Sequence, residues 1–228
     1  LIFMDDMGYA DLSCYGSETI STPNIDKLAA NGMKFTDFHV AASVCTPSRT
    51  ALLTGCYPDR LGLPKVLFPE GKNNPGNTGL HPDEQTIAEL LKGNGYATSM
   101  AGKWHLRDKK MFLPTQHGFD QYFGVPYSND MTIAPDLVLA ENILLRNGVT
   151  REMIQHFDAL KMDNKNHQTP LMKNNEVVEF PADQTTLTKR YTEYSVDFIN
   201  EQAGKSPFFL YFAHTMPHIP IFASKDFL

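Results

Sequence analysis

Cys45 stands in the run Ser43-Val44-Cys45-Thr46-Pro47-Ser48-Arg49-Thr50-Ala51-Leu52-Leu53-Thr54-Gly55, and its neighbours say more than the thiol does. Pro47 suits the first turn of a helix, where its missing N–H is not needed, and Gly55 suits the end of one. The spacing predicts Cys45 just ahead of a helix N-terminus, whose unpaired N–H groups and partial positive charge favour a thiolate or a bound oxyanion. Arg49, about one turn further on, adds a forked donor set suited to a tetrahedral anion. The plain alternative is a small buried cysteine before an ordinary helix, the usual role of a lone cysteine.

Three more polar clusters succeed apolar runs. Asp5-Asp6 comes after Leu1-Ile2-Phe3-Met4. Adjacent carboxylates repel unless a cation lies between them, and an all-oxygen pair suits Ca²⁺ or Mg²⁺ rather than a thiolate-seeking metal. Taken alone, Asp-Asp reads as a solvated turn, with Asp6 as a cap on the next residues. Lys103-Trp104-His105 comes after the apolar stretch 96–101; on an extended chain Lys103 and His105 share one side and Trp104 takes the other. Such a lysine holds an anion as a point charge, and such a histidine positions or deprotonates a nucleophile. A surface lysine and a satisfied histidine are the plain alternative. His214 and His218 come after Pro207-Phe208-Phe209-Leu210-Tyr211-Phe212-Ala213, with His214 reading as a structural hydrogen-bonder near the strand end.

These residues lie far apart, so the elements between them have to gather them. Thr22 as cap and Pro23 at the first position predict a helix with Ile25, Leu28 and Ala29 facing inward and Gly32 as its stop. A strand-like stretch at 34–40 leads into the Cys45 loop. Residues 68–81, with several Gly, Pro and Asn, read as a surface loop. Helical spacing returns over 83–94 through Ile87, Leu90 and Leu91 and ends in Gly93 and Gly95. Between 131 and 184 the pattern weakens; a helix is expected over 136–145 and a polar tract around 161–169. This loop-rich excursion is expected to cover a site or carry specificity. A helix over 186–202, closed by Gly204, precedes the strand at 207–213. The alternation predicts an α/β fold with a mostly parallel sheet flanked by helices, and ligands binding beyond the carboxyl ends of its strands. Asp5/Asp6, Lys103/His105, His214/His218 and the Cys45 helix then meet at one edge.

With 228 residues, 42% of them hydrophobic, the chain is long enough to bury a substantial core. A net charge of −6 argues against nucleic acid as a partner, so any anion recognition has to be local. No apolar run is long enough for a transmembrane segment. Cys14, Cys45 and Cys56 imply no disulfide framework, although a Cys14–Cys56 pair stays open. No secretory signal and no Asn-x-Ser/Thr acceptor are present.

The run around Cys45 resembles the sulfatase signature Cys-x-Pro-Ser-Arg with its Leu-Leu-Thr-Gly element. The stretch Gly118-Phe119-Asp120-Gln121-Tyr122-Phe123-Gly124-Val125-Pro126-Tyr127-Ser128-Asn129-Asp130 is similar to the arylsulfatase A and N-acetylgalactosamine-6-sulfatase branch. The resemblance runs from Leu1 to the turn Pro217-His218-Ile219-Pro220 and implies an alkaline-phosphatase-like fold. It implies hydrolysis of a sulfate monoester, a sugar or aryl sulfate, by formylglycine that a maturation enzyme makes from Cys45. By the same resemblance Asp5, Asp6 and the oxidised Cys45 hold Ca²⁺ (or Mg²⁺), and Arg49, Lys103 and Ser128 neutralise the sulfate. His218 protonates the leaving oxygen, with His214 in reserve, and His105 assists release of sulfate. The family pattern implies a later Asp-Asn pair completing the metal site and a second lysine on the sulfate, and the chain stops at Leu228 before either could appear. The chain is therefore expected to be the N-terminal portion, 1–228, of a longer catalytic domain, periplasmic or secreted and bacterial. Two alternatives are a phosphonate monoester or phosphodiester hydrolase of the same superfamily and a catalytically silent glycan-binding relative.

Overall fold

The computed structural model describes residues 1–69, 78–134, 137–156 and 168–227. They form two compact units, a larger one of Leu1–Asp5 with Ala41–Leu228 and a smaller one of Asp6–Val40. In chain order the strands are β1 (Ile2–Asp5), β2 (Ala97–Lys103), β3 (Gln121–Val125), β4 (Leu139–Leu145), β5 (Leu171–Lys173), β6 (Glu176–Phe180) and β7 (Phe208–Pro217). The helices are α1 (Pro23–Ala30), α2 (Cys45–Thr54), α3 (Ile87–Gly93), α4 (Arg151–Gln155) and α5 (Leu187–Gln202).

Among the described residues the seven strands lie in the larger unit and share one sheet, ordered β1-β7-β2-β3-β5-β6-β4. Strands β1, β7, β2 and β3 run parallel, β5 is antiparallel to β3 and β6, and β4 returns parallel to β6. Alternate residues feed two cores. Met100, Tyr122 and Tyr211 join Leu53 of α2 and Ala88 of α3 on one face. Ala101, Phe123 and Phe212 join Leu187 and Tyr191 of α5 on the other. The α/β class and the mostly parallel sheet expected from sequence are what the chain forms. Each large side chain sealed between layers contributes about 1.5–3 kcal/mol of apolar burial.

Two glycines let the central strands approach where the site lies. A Cβ on Gly102, at φ +105, would sit 1.7 Å from the carbonyl oxygen of Ala213, and one on Gly124 would sit 1.8 Å from that of Gly102. No side chain fits at either place, so β3, β2 and β7 close together just before Lys103.

Several expectations change. β1 is an edge strand with a single neighbour, β7, so Leu1 and Ile2 are exposed and only its last residue, Asp5, is buried. The helix expected over 136–145 is instead β4, because pairing with β6 outweighs the local helical spacing; residue 136 lies outside the described residues. The excursion at 131–184 is less loop-rich than expected, since β4, β5 and β6 extend the sheet through it. Asn174, at φ +53, with Asn175 makes the two-residue turn between β5 and β6. Residues 161–167 of the polar tract and 70–77 of the surface loop lie outside the described residues. Helix α3 starts at Ile87, later than the expected 83, because Thr86 and Glu89 form a capping box there.

In the smaller unit, α1 begins at Pro23 as expected. Thr22 turns its hydroxyl to Asp26 Oδ1 (3.0 Å), and Ser13 reaches Asp26 Oδ2 (2.7 Å), which ties the unit together. Its expected inner face is not covered: Ile25 and Leu28 are exposed and no residue of α1 is buried. The stretch 34–40 forms no strand and pairs with none.

Candidate active site

Helix α2 begins at Cys45 itself, so the thiol is on the first turn rather than just ahead of it, with Val44 as cap in extended conformation. Gly55 ends the helix at φ +70, as its position predicts. The thiol therefore sits beside free N–H groups. Cys45 Sγ lies 3.7 Å from Asp5 Oδ1 at the end of β1. Lys103, the last residue of β2, joins three elements through one ammonium. Its Nζ donates to Asp5 Oδ2 (2.6 Å), Cys45 Sγ (3.2 Å) and Ser128 Oγ (3.0 Å). Ser128 is buried in the turn after β3, so β1, β2, β3 and α2 each bring one group to this point.

Arg49 packs against Asp5, the Lys103 carbonyl and Phe3. It is fully buried, its Nη1 donates to the Lys103 carbonyl (2.6 Å), and its Nη2 stands 3.5 Å from Asp5 Oδ2. Its guanidinium also covers the Phe3 ring at 5.2 Å. Burial alone would raise the Asp5 pKa, but Arg49 and Lys103 outweigh it and hold the carboxyl at about 2. Asp5 is thus a fixed anion gripped by two fixed cations. Asp6 is exposed and is the first residue of the smaller unit, joined to Asp5 by its peptide bond.

The histidines separate clearly. His218 is half-buried, and a side-chain hydrogen bond with Cys45 raises its pKa above the usual histidine value, against the opposing effect of burial. Its Nδ1 lies 2.6 Å from the carbonyl of Ile219, which can only accept, so Nδ1 carries a proton. His214 lies within β7 against the Phe212 ring at 4.1 Å, and burial lowers its pKa to about 4. The structure thus brings His218, and not His214, to Cys45.

His105 does not alternate with Lys103 as expected. β2 ends at Lys103, and His105 turns into the left-handed region at φ +62. Its ring is fully buried, with Nε2 2.8 Å from the Leu67 carbonyl and the Tyr127 ring edge-on at 5.7 Å. Burial first, then Lys103, holds its pKa well below the usual value, so the ring is neutral. Sequence reasoning does not single out Thr46, Leu67 or Tyr127. It also misses Asp108, which accepts from Tyr127 Oη at 2.8 Å and which no local signal marks. All three cysteines are free thiols, so no Cys14–Cys56 bond forms.

A mostly parallel sheet with helices on both faces, carrying its polar cluster beyond the ends of β1, β2 and β3, is the alkaline-phosphatase-like α/β arrangement. The chain belongs to the sulfatase family, whose model matches residues 1–228. It is 41% identical over 231 residues to arylsulfatase A of Bos taurus, covering 100% of this chain and 42% of that protein. To N-acetylgalactosamine-6-sulfatase of Homo sapiens it is 37% identical over 241 residues, covering 100% of this chain and 41% of that protein. Among solved structures, the crystal structure of Ps i-CgsB superposes with a TM-score of 0.72 at 34% identity over 96% of this chain and 45% of that one. The same protein has been solved in complex with k-i-k-neocarrahexaose. The chain thus spans less than half the length of these relatives. Among the described residues no helix is long and apolar enough to cross a membrane.

Proposed function

We propose that the protein hydrolyses sulfate monoesters, with a sugar or aryl sulfate as substrate, through formylglycine made from Cys45 by a maturation enzyme. One observation carries this: a single lysine ammonium within 3.2 Å of the thiol, a buried carboxylate and a serine hydroxyl. Names of relatives support the ester class, and the glycan complex of Ps i-CgsB supports a sugar.

The donor set fits a hard divalent cation. Asp5 Oδ1 faces only the thiol at 3.7 Å and so keeps lone pairs for a metal, and Asp6 is the next residue in the chain. Asp5, Asp6 and the oxidised residue 45 would hold Ca²⁺, which would add positive charge beside the sulfate oxygens. Oxidised to the aldehyde and hydrated by one water, residue 45 would supply two geminal hydroxyls, one to take the sulfuryl group and one whose deprotonation expels sulfate and restores the aldehyde.

Lys103 and Ser128 bind the sulfate oxygens from one side, with the charge of Lys103 already aligned by Asp5. Arg49 adds a fixed positive charge toward the sulfate and holds Asp5 and the Lys103 carbonyl in register. His218, its Nδ1 proton committed to Ile219, uses Nε2 to protonate the departing alcohol oxygen. His105 is neutral and takes the proton in the release step. The proposed setting is the periplasm or the secreted fraction of a bacterium.

Paired assays with an aryl sulfate and an aryl phosphodiester test the reaction class. A higher kcat/KM for the sulfate is expected, and a preference for the phosphodiester would overturn it.

A further inference from the structure

Three hydrogen bonds close a ring beside the nucleophile. Thr46 Oγ1 donates to the His105 carbonyl (2.9 Å), the Leu67 N–H donates to Thr46 Oγ1 (3.1 Å), and His105 Nε2 lies 2.8 Å from the Leu67 carbonyl. All three residues are buried. A carbonyl oxygen cannot donate, so the proton of that last contact belongs to Nε2. The other ring nitrogen, Nδ1, is buried and has no hydrogen-bond partner among the described residues. A proton there would be an unsatisfied donor in a dry place, which disfavours it.

We propose that Thr46 is a positioning residue that, through the Leu67 peptide, locks His105 as the Nε2–H tautomer and leaves Nδ1 as its one proton acceptor. Thr46 is bonded directly to Cys45, so the same helical turn carries the nucleophile and the clamp on the base. The backbone of His105 is pinned independently, since its N–H donates to the Pro126 carbonyl at 3.0 Å. The hydroxyl therefore governs which face of the ring is free, rather than whether the turn exists. The kinetic consequence rests on the sulfate-ester reading; the tautomer does not.

The test uses protein labelled with ¹⁵N-histidine, the His105 signals being those lost in His105→Gln. Aldehyde content at position 45 is measured by peptide mass in every variant, so that impaired maturation is separated from impaired chemistry. The wild type is expected to show one His105 species, protonated at Nε2 and bare at Nδ1. Thr46→Val, nearly isosteric but without the hydroxyl, is expected to add a second tautomer. Its kcat per aldehyde should fall roughly 10–100-fold, with KM within about twofold. Thr46→Ser is expected to restore both readouts, which a loss of folding in Thr46→Val would not explain. A wild-type His105 protonated at Nδ1, or a Thr46→Val protein with unchanged tautomer and kcat per aldehyde, overturns the proposal. Absence of ester turnover in every protein, with the tautomers as expected, counts against the sulfate-ester reading alone.

Discussion

Removing Lys103 should expose how strongly the site depends on its buried charges. The ammonium and Asp5 Oδ2 are 2.6 Å apart, with side chains 0% and 4% exposed. At an effective dielectric of about 20 their attraction is ~6 kcal/mol, offset in large part by the desolvation of both ions. Lys103→Met leaves the carboxylate buried with Arg49, at 3.5 Å, as its remaining ion-pair partner. We expect a loss of about 3–5 kcal/mol, the usual consequence of orphaning one member of a buried pair. Asp5→Asn should lose a comparable amount, because Lys103 and Arg49 then share a pocket with no anion. The double variant removes charge from both sides, so its loss should fall short of the sum of the single losses by about 2 kcal/mol. Urea unfolding of all four proteins at neutral pH, with a chelator present, measures the cycle. A Lys103→Met loss below about 1 kcal/mol, or strict additivity, would refute the reasoning.

Four further outcomes are expected from named contacts. Cys45→Ser, made without oxidation, should accept at most one sulfuryl group per chain and then stop, because a simple alcohol ester lacks the second hydroxyl; sustained product release would contradict this. Glu179 is buried and accepts from Arg146 Nε (2.9 Å), Arg190 Nη1 (2.7 Å) and the Asp183 N–H (2.9 Å), so Glu179→Gln should lose about 3 kcal/mol in urea unfolding. Burial depresses the His117 pKa from 6.5 to about 4. The unfolded chain therefore binds the proton first, and stability should fall by about 3 kcal/mol between pH 6.5 and 4, a slope that His117→Phe flattens. Gly102→Ala, whose new methyl would meet the Ala213 carbonyl at 1.7 Å, should destabilise by about 3 kcal/mol or more, read as a lowered Tm.

Much of the site can be read from the chain because its residues sit where regular elements end. Asp5, Lys103 and Cys45 occupy a strand end, a strand end and a helix start, and each is marked by an apolar run or a proline-glycine frame. His218 stands out through its Pro-His-x-Pro turn. Local geometry set by distant partners is what escapes such a reading. The left-handed turn at His105 is pinned by the Pro126 carbonyl, which is not its neighbour in sequence. Strand β4 carries helix-like spacing and becomes a strand only because β6 is there to pair with it. The contacts that bury Arg49, with the Phe3 ring and the Lys103 carbonyl, come from distant stretches and are not legible around it. The β5–β6 turn does carry a signal in Asn174-Asn175, the residue type that tolerates positive φ.

The most direct test joins maturation to chemistry at one residue. Protein is prepared with a graded fraction of aldehyde at position 45, counted from the peptide that weighs about 18 Da less than its thiol form. Hydrolysis of an aryl sulfate is then measured on each preparation. The rate is expected to rise in proportion to the aldehyde fraction and to vanish with the thiol. A rate independent of that fraction, or no hydrolysis by fully converted protein, would contradict the role assigned to Cys45.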